Sequence, residues 1–162
     1  MTVDKEDIER KLDAEWQALR EVVESLSDDE LLEPGVVGEW SVKDLLGHMA
    51  FWAHKAADDL AKVAAGHSDE IETPGGETGT NEWNARESKA RTLRSLSEVR
   101  SEWQRSFEAS KAALEAVQPE QLEIEVKGWD MHTRFAEDTY RHYREHAAQI
   151  RAWKREVETT EE

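Results

Sequence analysis

The chain has 162 residues, 38% of them hydrophobic and 36% charged, with a formal net charge of −16 and no cysteine. That length suits one domain, burying about 68–70% of the surface its unfolded chain would expose. Without thiols there is no disulfide framework, thiolate metal site or cysteine nucleophile, so any metal ligand must be His, Asp or Glu. The negative charge argues against nucleic acid and against an anionic membrane surface as partners. No apolar run reaches the roughly 18 residues of a membrane span, and the first residues, MTVDKEDIER, do not read as a secretory leader. A cytoplasmic location is the expectation.

Residues 4–26 read as the first helix, with Ile8, Leu12, Trp16, Leu19, Val23 and Leu26 at spacings of three and four. Asp4, Glu6 and Asp7 suit the positive end of its dipole. Ser27 opens a short DDELL turn that Pro34 and Gly35 end, and GVVGEW follows as a loop. Ser41, with Asp44 three residues on, is an N-cap for a second helix that Gly66 stops. Its stripe is Val42, Leu45, Met49, Trp52, Ala53, Ala56, Leu60 and Val63, and His48 lies on or beside it. His54 points elsewhere and reads as a surface histidine.

Residues 66–80, GHSDEIETPGGETGT, are polar and glycine-rich, predicting a flexible loop that either covers a site or is simply mobile. His67 within it is expected to have no partner. From about residue 80 to 117 the stripe of Trp83, Leu93, Leu96, Val99, Trp103, Phe107, Leu114 and Val117 predicts a single long third helix. PEQLEIEVKGWDMH then crosses back, with Gly128 and Asp130 as break signals. LEIEVK alternates like a strand, but nothing nearby offers it a pairing partner. A fourth helix is expected over 133–157, followed by a disordered acidic tail at 158–162. Four long helices with one apolar face each predict an all-α four-helix bundle forming one domain over 1–162. Seven tryptophans, spread over all the segments, are expected mostly in the core.

The inward face of the last helix runs Phe135, Thr139, His142, His146, Ile150, Trp153. An i,i+4 pair such as His142 and His146 places both rings about 40° apart on one helix face, the spacing that offers two nitrogens to one metal ion. His48 is a third inward histidine on another helix. Burying one imidazole without a partner costs about 1–3 kcal/mol, and a shared metal would satisfy all three. Three histidines leave a coordination position open for water or substrate. The alternative is that His48 hydrogen-bonds a neighbour while the pair faces a wet groove.

Three stretches carry a resemblance. GEWSVKDLLGHMAFW (38–52), NEWNAR (81–86) and HYREHAAQI (142–150) resemble, in order, segments of the DinB/YfiT-like superfamily. The chain is most similar to its ClbS/DfsB branch and to the N-terminal domains of mycothiol-dependent maleylpyruvate isomerases. The resemblance implies an up-up-down-down bundle and a divalent metal held by His48, His142 and His146. Zinc or nickel is the expected ion, although three imidazoles also suit iron or copper. It implies a homodimer and a small-molecule substrate, with a low-molecular-weight thiol as cosubstrate. The function expected is a metal-dependent thiol S-transferase or hydrolase acting on a small electrophile, its reactive group a metal-bound water or thiolate near the three histidines. Two alternatives remain: a metal-independent binding or resistance protein of the ClbS/DfsB type, and a purely structural dimerising bundle. Trp40, Trp52, Trp83 and Tyr143 are either pocket walls or core. Asn84 either orients substrate or is a polar residue at a helix start. Arg144 and Glu145 turn off the histidine face and receive no role.

Overall fold

A computed structural model describes residues 3–160. In it the chain forms helices α1 (Lys5–Glu24), α2 (Asp28–Leu32), α3 (Val42–Ala64), α4 (Glu77–Arg91), α5 (Leu96–Ala116), α6 (Met131–Asp138) and α7 (Tyr140–Thr160). A hairpin of β1 (Glu125–Val126) and β2 (Trp129–Asp130) precedes α6. The fold is all-α apart from that hairpin. No described helix is long and apolar enough to cross a membrane.

Local chemistry starts the helices where the sequence signals it. Ser41 accepts from the Asp44 backbone N–H at 3.1 Å while Asp44 Oδ2 accepts from the Ser41 N–H at 2.9 Å, a reciprocal box that satisfies two otherwise orphaned donors. Ser27 and Glu30 do the same for α2. The predicted stripes are buried. Every apolar position assigned to α1 and α3 lies in the core, and α3 also buries Leu46, Gly47, Ala50 and Ala57 on a second face. Trp16 stacks on Phe107 at 4.4 Å and touches Trp103 at 4.3 Å and Tyr143 at 5.5 Å, knitting α1, α5 and α7 together. A fully buried large apolar side chain contributes about 1.5–3 kcal/mol, so this cluster is a main source of stability.

Cross-helix contacts fix the directions. Glu15 meets Arg144 at 2.8 Å and Ser25 meets Lys154 at 3.1 Å, so α1 and α7 run parallel. Asp13 meets Lys111 at 2.9 Å while Lys5 reaches the carbonyls of Glu115 and Val117 at 2.6 and 2.8 Å, so α1 and α5 are antiparallel. The Asp44 carbonyl accepts from Arg91, just before α5, and the Val63 carbonyl from Gln121, just after it, so α3 and α5 are parallel. The order is up-down-down-up, which corrects the up-up-down-down expectation. Hydrophobic period reports which face of a helix is buried, not which way its neighbour runs. Here the segment from 65 to 95 carries the chain back to the start of α3 before α5 begins.

Five readings of the elements differ from expectation. The single third helix is two, because Ser95 accepts from the Glu98 N–H at 3.1 Å and starts α5 afresh. Leu93, counted in the stripe, sits in the break and is 96% exposed. LEIEVK does find a partner: its end pairs with the residues immediately after it, Glu125 with Asp130 and Val126 with Trp129. Lys127 and Gly128 turn the hairpin at φ 51° and 86°, the left-handed pair that a two-residue loop requires. The fourth helix is broken at Thr139, whose ψ of −97° leaves the helical range and whose hydroxyl donates to the Phe135 carbonyl at 2.6 Å. Residues 158–160 continue α7 rather than forming a disordered tail, while 161–162 lie outside the described residues. The expected loop at 66–80 holds a 3-10 turn at Ser68–Glu70, and α4 begins inside it at Glu77.

Candidate functional site

α3 and α7 bring three imidazoles together. His48 Nε2 and His142 Nε2 are 2.9 Å apart, and ring centroids in the trio are separated by 4.5–5.3 Å. One ring nitrogen from each of His48, His142 and His146 lies within 4.8 Å of the others; among the described residues this is the one such group of potential metal-binding side chains. His48 and His146 are buried and His142 is half-buried.

Hydrogen bonding fixes the proton on one ring. Gln149 Oε1 lies 2.6 Å from His146 Nδ1 and can only accept, so Nδ1 carries the hydrogen and Nε2 is a lone pair. That Nε2 is buried and has no protein partner, and neither has His142 Nδ1. Burial holds all three rings in the neutral form. It is the first cause lowering His48, to about 3, with the charges of His146 and Arg91 adding to it. His142 is held well below the ordinary histidine range by burial, then by His146 and His48. His146 is also lowered by burial, against the opposing Gln149 bond. Neutral imidazoles, one of them oriented through its other nitrogen so that its Nε2 lone pair is free, are the chemistry a divalent ion requires. The donor set fits such an ion.

The cluster opens on a cavity of about 590 Å³. Its histidine end carries His48, His142 and Glu145, and Trp52 forms an aromatic wall. Ionisable groups stand further along: Asp59, buried and paired with Lys55 at 2.6 Å, and Arg134 and Asp138 from α6. Burial, reinforced by the Asp59 charge, raises Asp138 to about 8, so it is largely protonated at neutral pH. Asp59 is raised by burial too, against the pull of Lys55. Residues 72–76, Thr80 and Asn84 form the wall opposite α3, and the hairpin adds Lys127 and Trp129, the latter 52% exposed.

Other expected site residues fall into distinct places. Trp52 lines the cavity and its indole N–H donates to Asn84 Oδ1 at 2.8 Å, so that carbonyl anchors α4 to α3. Trp83 stacks behind Trp52 at 6.0 Å and lines a second cavity of about 520 Å³. Trp40 packs beside His48 at 5.0 Å without lining the main cavity. Tyr143 belongs to the core: it is fully buried on the face of α7 next to the histidines, against Trp16. Arg144 points away to Glu15, but Glu145 does line the cavity, contrary to expectation. His67, expected to have no partner, is 3.3 Å from Glu70. Sequence reading missed Lys55, Asp59, Arg134, Asp138 and Gln149. Signals existed for some: Asp138 precedes His142 by one helical turn, Lys55 and Asp59 are an i,i+4 pair, and Gln149 follows His146 by three.

A helical bundle with a histidine trio drawn from its middle and last helices defines a DinB/YfiT-like protein. Within that superfamily, the chain belongs to the mycothiol maleylpyruvate isomerase N-terminal domain family, whose model matches residues 12–157. Solved structures agree on the fold. An uncharacterised protein from Escherichia coli UTI89 superposes with a TM-score of 0.82 at 15% identity, covering 95% of this chain and 94% of that one. The structure described as Sibling Lethal Factor Precursor, DfsB, gives 0.79 at 16%, covering 97% and 98%. The colibactin self-resistance protein ClbS, in complex with a dsDNA, gives 0.80 at 13%, covering 93% and 95%. No curated protein sequence matches the chain. The ClbS complex corrects the expectation that nucleic acid is excluded as a partner: a protein of this fold is solved with duplex DNA. Net charge is a sum over the whole surface, and the potential at one local patch decides contact with a phosphate backbone.

Proposed function

We propose that His48, His142 and His146 bind one divalent metal ion, and that the adjoining cavity presents a small electrophile to it for attack by a thiol or water. The observation that carries this reading is the His146 Nε2 lone pair, buried and without a protein partner while Gln149 holds the other nitrogen. When bound, such an ion lowers the pKa of a coordinated water or thiol and polarises an acceptor. The chain's own residues supply the rest. Trp52 offers an apolar wall for a flat substrate, Lys55 and Arg134 offer donors to its polar end, and protonated Asp138 can donate a hydrogen bond. Metal-dependent S-transfer and hydrolysis are both reactions that this constellation suits.

Dialysis against zinc or nickel, followed by elemental analysis, tests it. One equivalent per chain is expected, falling to near none in the His142→Ala, His146→Ala double variant. Gln149→Leu should weaken binding about 10–100-fold by freeing the His146 ring. Equal metal content in all three proteins would defeat the reading.

The likeness to a self-resistance protein supports a second reading, in which the cavity sequesters a reactive small molecule without metal. Ligand binding that survives both chelation and His48→Ala would favour it over the first.

A further inference from the structure

α4 is built unlike the other long helices. Arg91 is its one buried residue, whereas α5 buries six and α3 fourteen. Its one large apolar side chain, Trp83, is only half-buried. A helix with so little apolar surface against the core has little to hold it there, since most helical stability in proteins comes from packing an apolar face. Yet α4 and the loop before it form a wall of the histidine cavity. The two are joined: a Cβ on Gly79 would stand 1.7 Å from the Pro74 carbonyl oxygen, so the loop backbone lies directly on the helix.

Besides the Phe51 ring and the Lys55 ammonium, which lie 6.3 and 5.9 Å from the Trp83 ring, three attachments hold this unit to α3. Trp52 donates to Asn84, and Trp52 and Trp83 stack. The third is the Arg91 side chain, which fills the space that a side chain at position 47 would occupy: a Cβ on Gly47 would come within 2.1 Å of Arg91 Cδ. Arg91 is 6% exposed, and its guanidinium is poorly satisfied. It makes one long bond, 3.4 Å to the Asp44 carbonyl; its Nε and Nη1 have no hydrogen-bond partner, and the nearest carboxylate, Glu87, is 3.9 Å away. Burying a guanidinium with two donors unmet offsets much of what its packing contributes.

We propose that residues 72–91 are a lid on the histidine cavity, latched to α3 by Arg91 in the Gly47 notch and kept easy to open by the incomplete pairing of that guanidinium. The mobile segment is bounded by Ile71, which is buried, and by the Ser95 cap that starts α5. A molecule in the cavity touches His48 and Trp52 on α3 and Thr80 and Asn84 on the lid, so binding ties the two walls together and closes the site. The inference concerns access and holds whether or not the histidines carry a metal.

Hydrogen exchange of the full chain, read by mass spectrometry, tests it. Amides of α4 should exchange about 100-fold faster than those of α3 and α5, as expected of a locally opening unit. Arg91→Met keeps the shape in the notch and removes the unpaired charge, so it should slow exchange in 77–91 about tenfold. Gly47→Ala puts a methyl where Arg91 sits and should speed it about tenfold, leaving α1 and α7 unchanged. Trp52→Phe, which removes the donor to Asn84 but keeps a ring, should also accelerate exchange there, and serves if Gly47→Ala does not fold. Protection of α4 equal to that of α3 in the parent protein would overturn the proposal, as would faster exchange in Arg91→Met or no change in Trp52→Phe.

Discussion

α7 faces two ways, and its two faces are built on opposite principles. One face turns Tyr143, Ala147 and Ile150 into the aromatic core with Trp16 and Phe107, where even the buried Ser106 and Ser110 hydroxyls bond back to their own helix at 2.6 and 2.9 Å. The other turns His142 and His146 toward α3, beside a cavity that also buries Asp59 and draws in Asp138. The first face stabilises by excluding water and matching shapes. Both sides hold buried polar atoms without partners, Trp103 Nε1 and the Tyr143 hydroxyl in the core and His142 Nδ1 and His146 Nε2 at the second face, but only the second adjoins a cavity from which something can arrive to satisfy them. A chain carries such a cost where a ligand recovers it, and so the cavity side, not the core, is read as the site.

The comparison can be broken in steps of decreasing size. Trp16→Ala should cost about 3–5 kcal/mol in a urea titration followed by circular dichroism, because it leaves a cavity among three rings. A cost below that of a surface substitution would mean that the aromatic side is not the stabilising one.

Asp138→Asn tests the cavity side through pH. The folded chain keeps the Asp138 proton to about 8, whereas an ordinary Asp releases it at about pH 4. The contribution of the protonated acid is therefore complete below about pH 4 and is lost as pH rises through about 8. At pH 9 the Asn variant should exceed the parent by on the order of 2 kcal/mol, after allowance for solvent at the cavity, and the two should converge near pH 4. Parallel stability curves for the two proteins would remove the polar strain assigned here.

Ser41→Ala removes the cap that starts α3 seven residues before His48 and should cost about 1 kcal/mol, read as a lower melting temperature. Smallest of all, Arg144→Met breaks only the exposed pair with Glu15 and should change stability by about 0.5 kcal/mol or less. A larger loss would show that the outer surface of α7 contributes more than either buried face predicts.

Much of this was legible in the residues. The period of Ile8, Leu12, Trp16 and Leu19, and that of Leu45, Met49, Trp52 and Ala56, reports burial directly, because a helix presents every third or fourth residue to one side. The same rule placed His48, His142 and His146 inward before any contact between helices was known. Local hydrogen bonds were readable where a cap stands alone, as at Ser41. They were misread where a stripe ran across them, as at Ser95 and Thr139, since an apolar pattern continues through a break that a single side chain makes.

What the residues alone determined is therefore the main helical stretches, most of their inward positions and the identity of the three imidazoles, but not the breaks at Ser95 and Thr139. The tertiary structure decided the rest: the up-down-down-up order, the meeting of His48 with His142 across α3 and α7, and the assembly of Trp52, Asp59, Arg134 and Asp138 around one cavity. The physical reason is range. Periodicity and capping act within a few residues along one helix, whereas direction, cavity and charge coupling arise between segments that the chain keeps tens of residues apart.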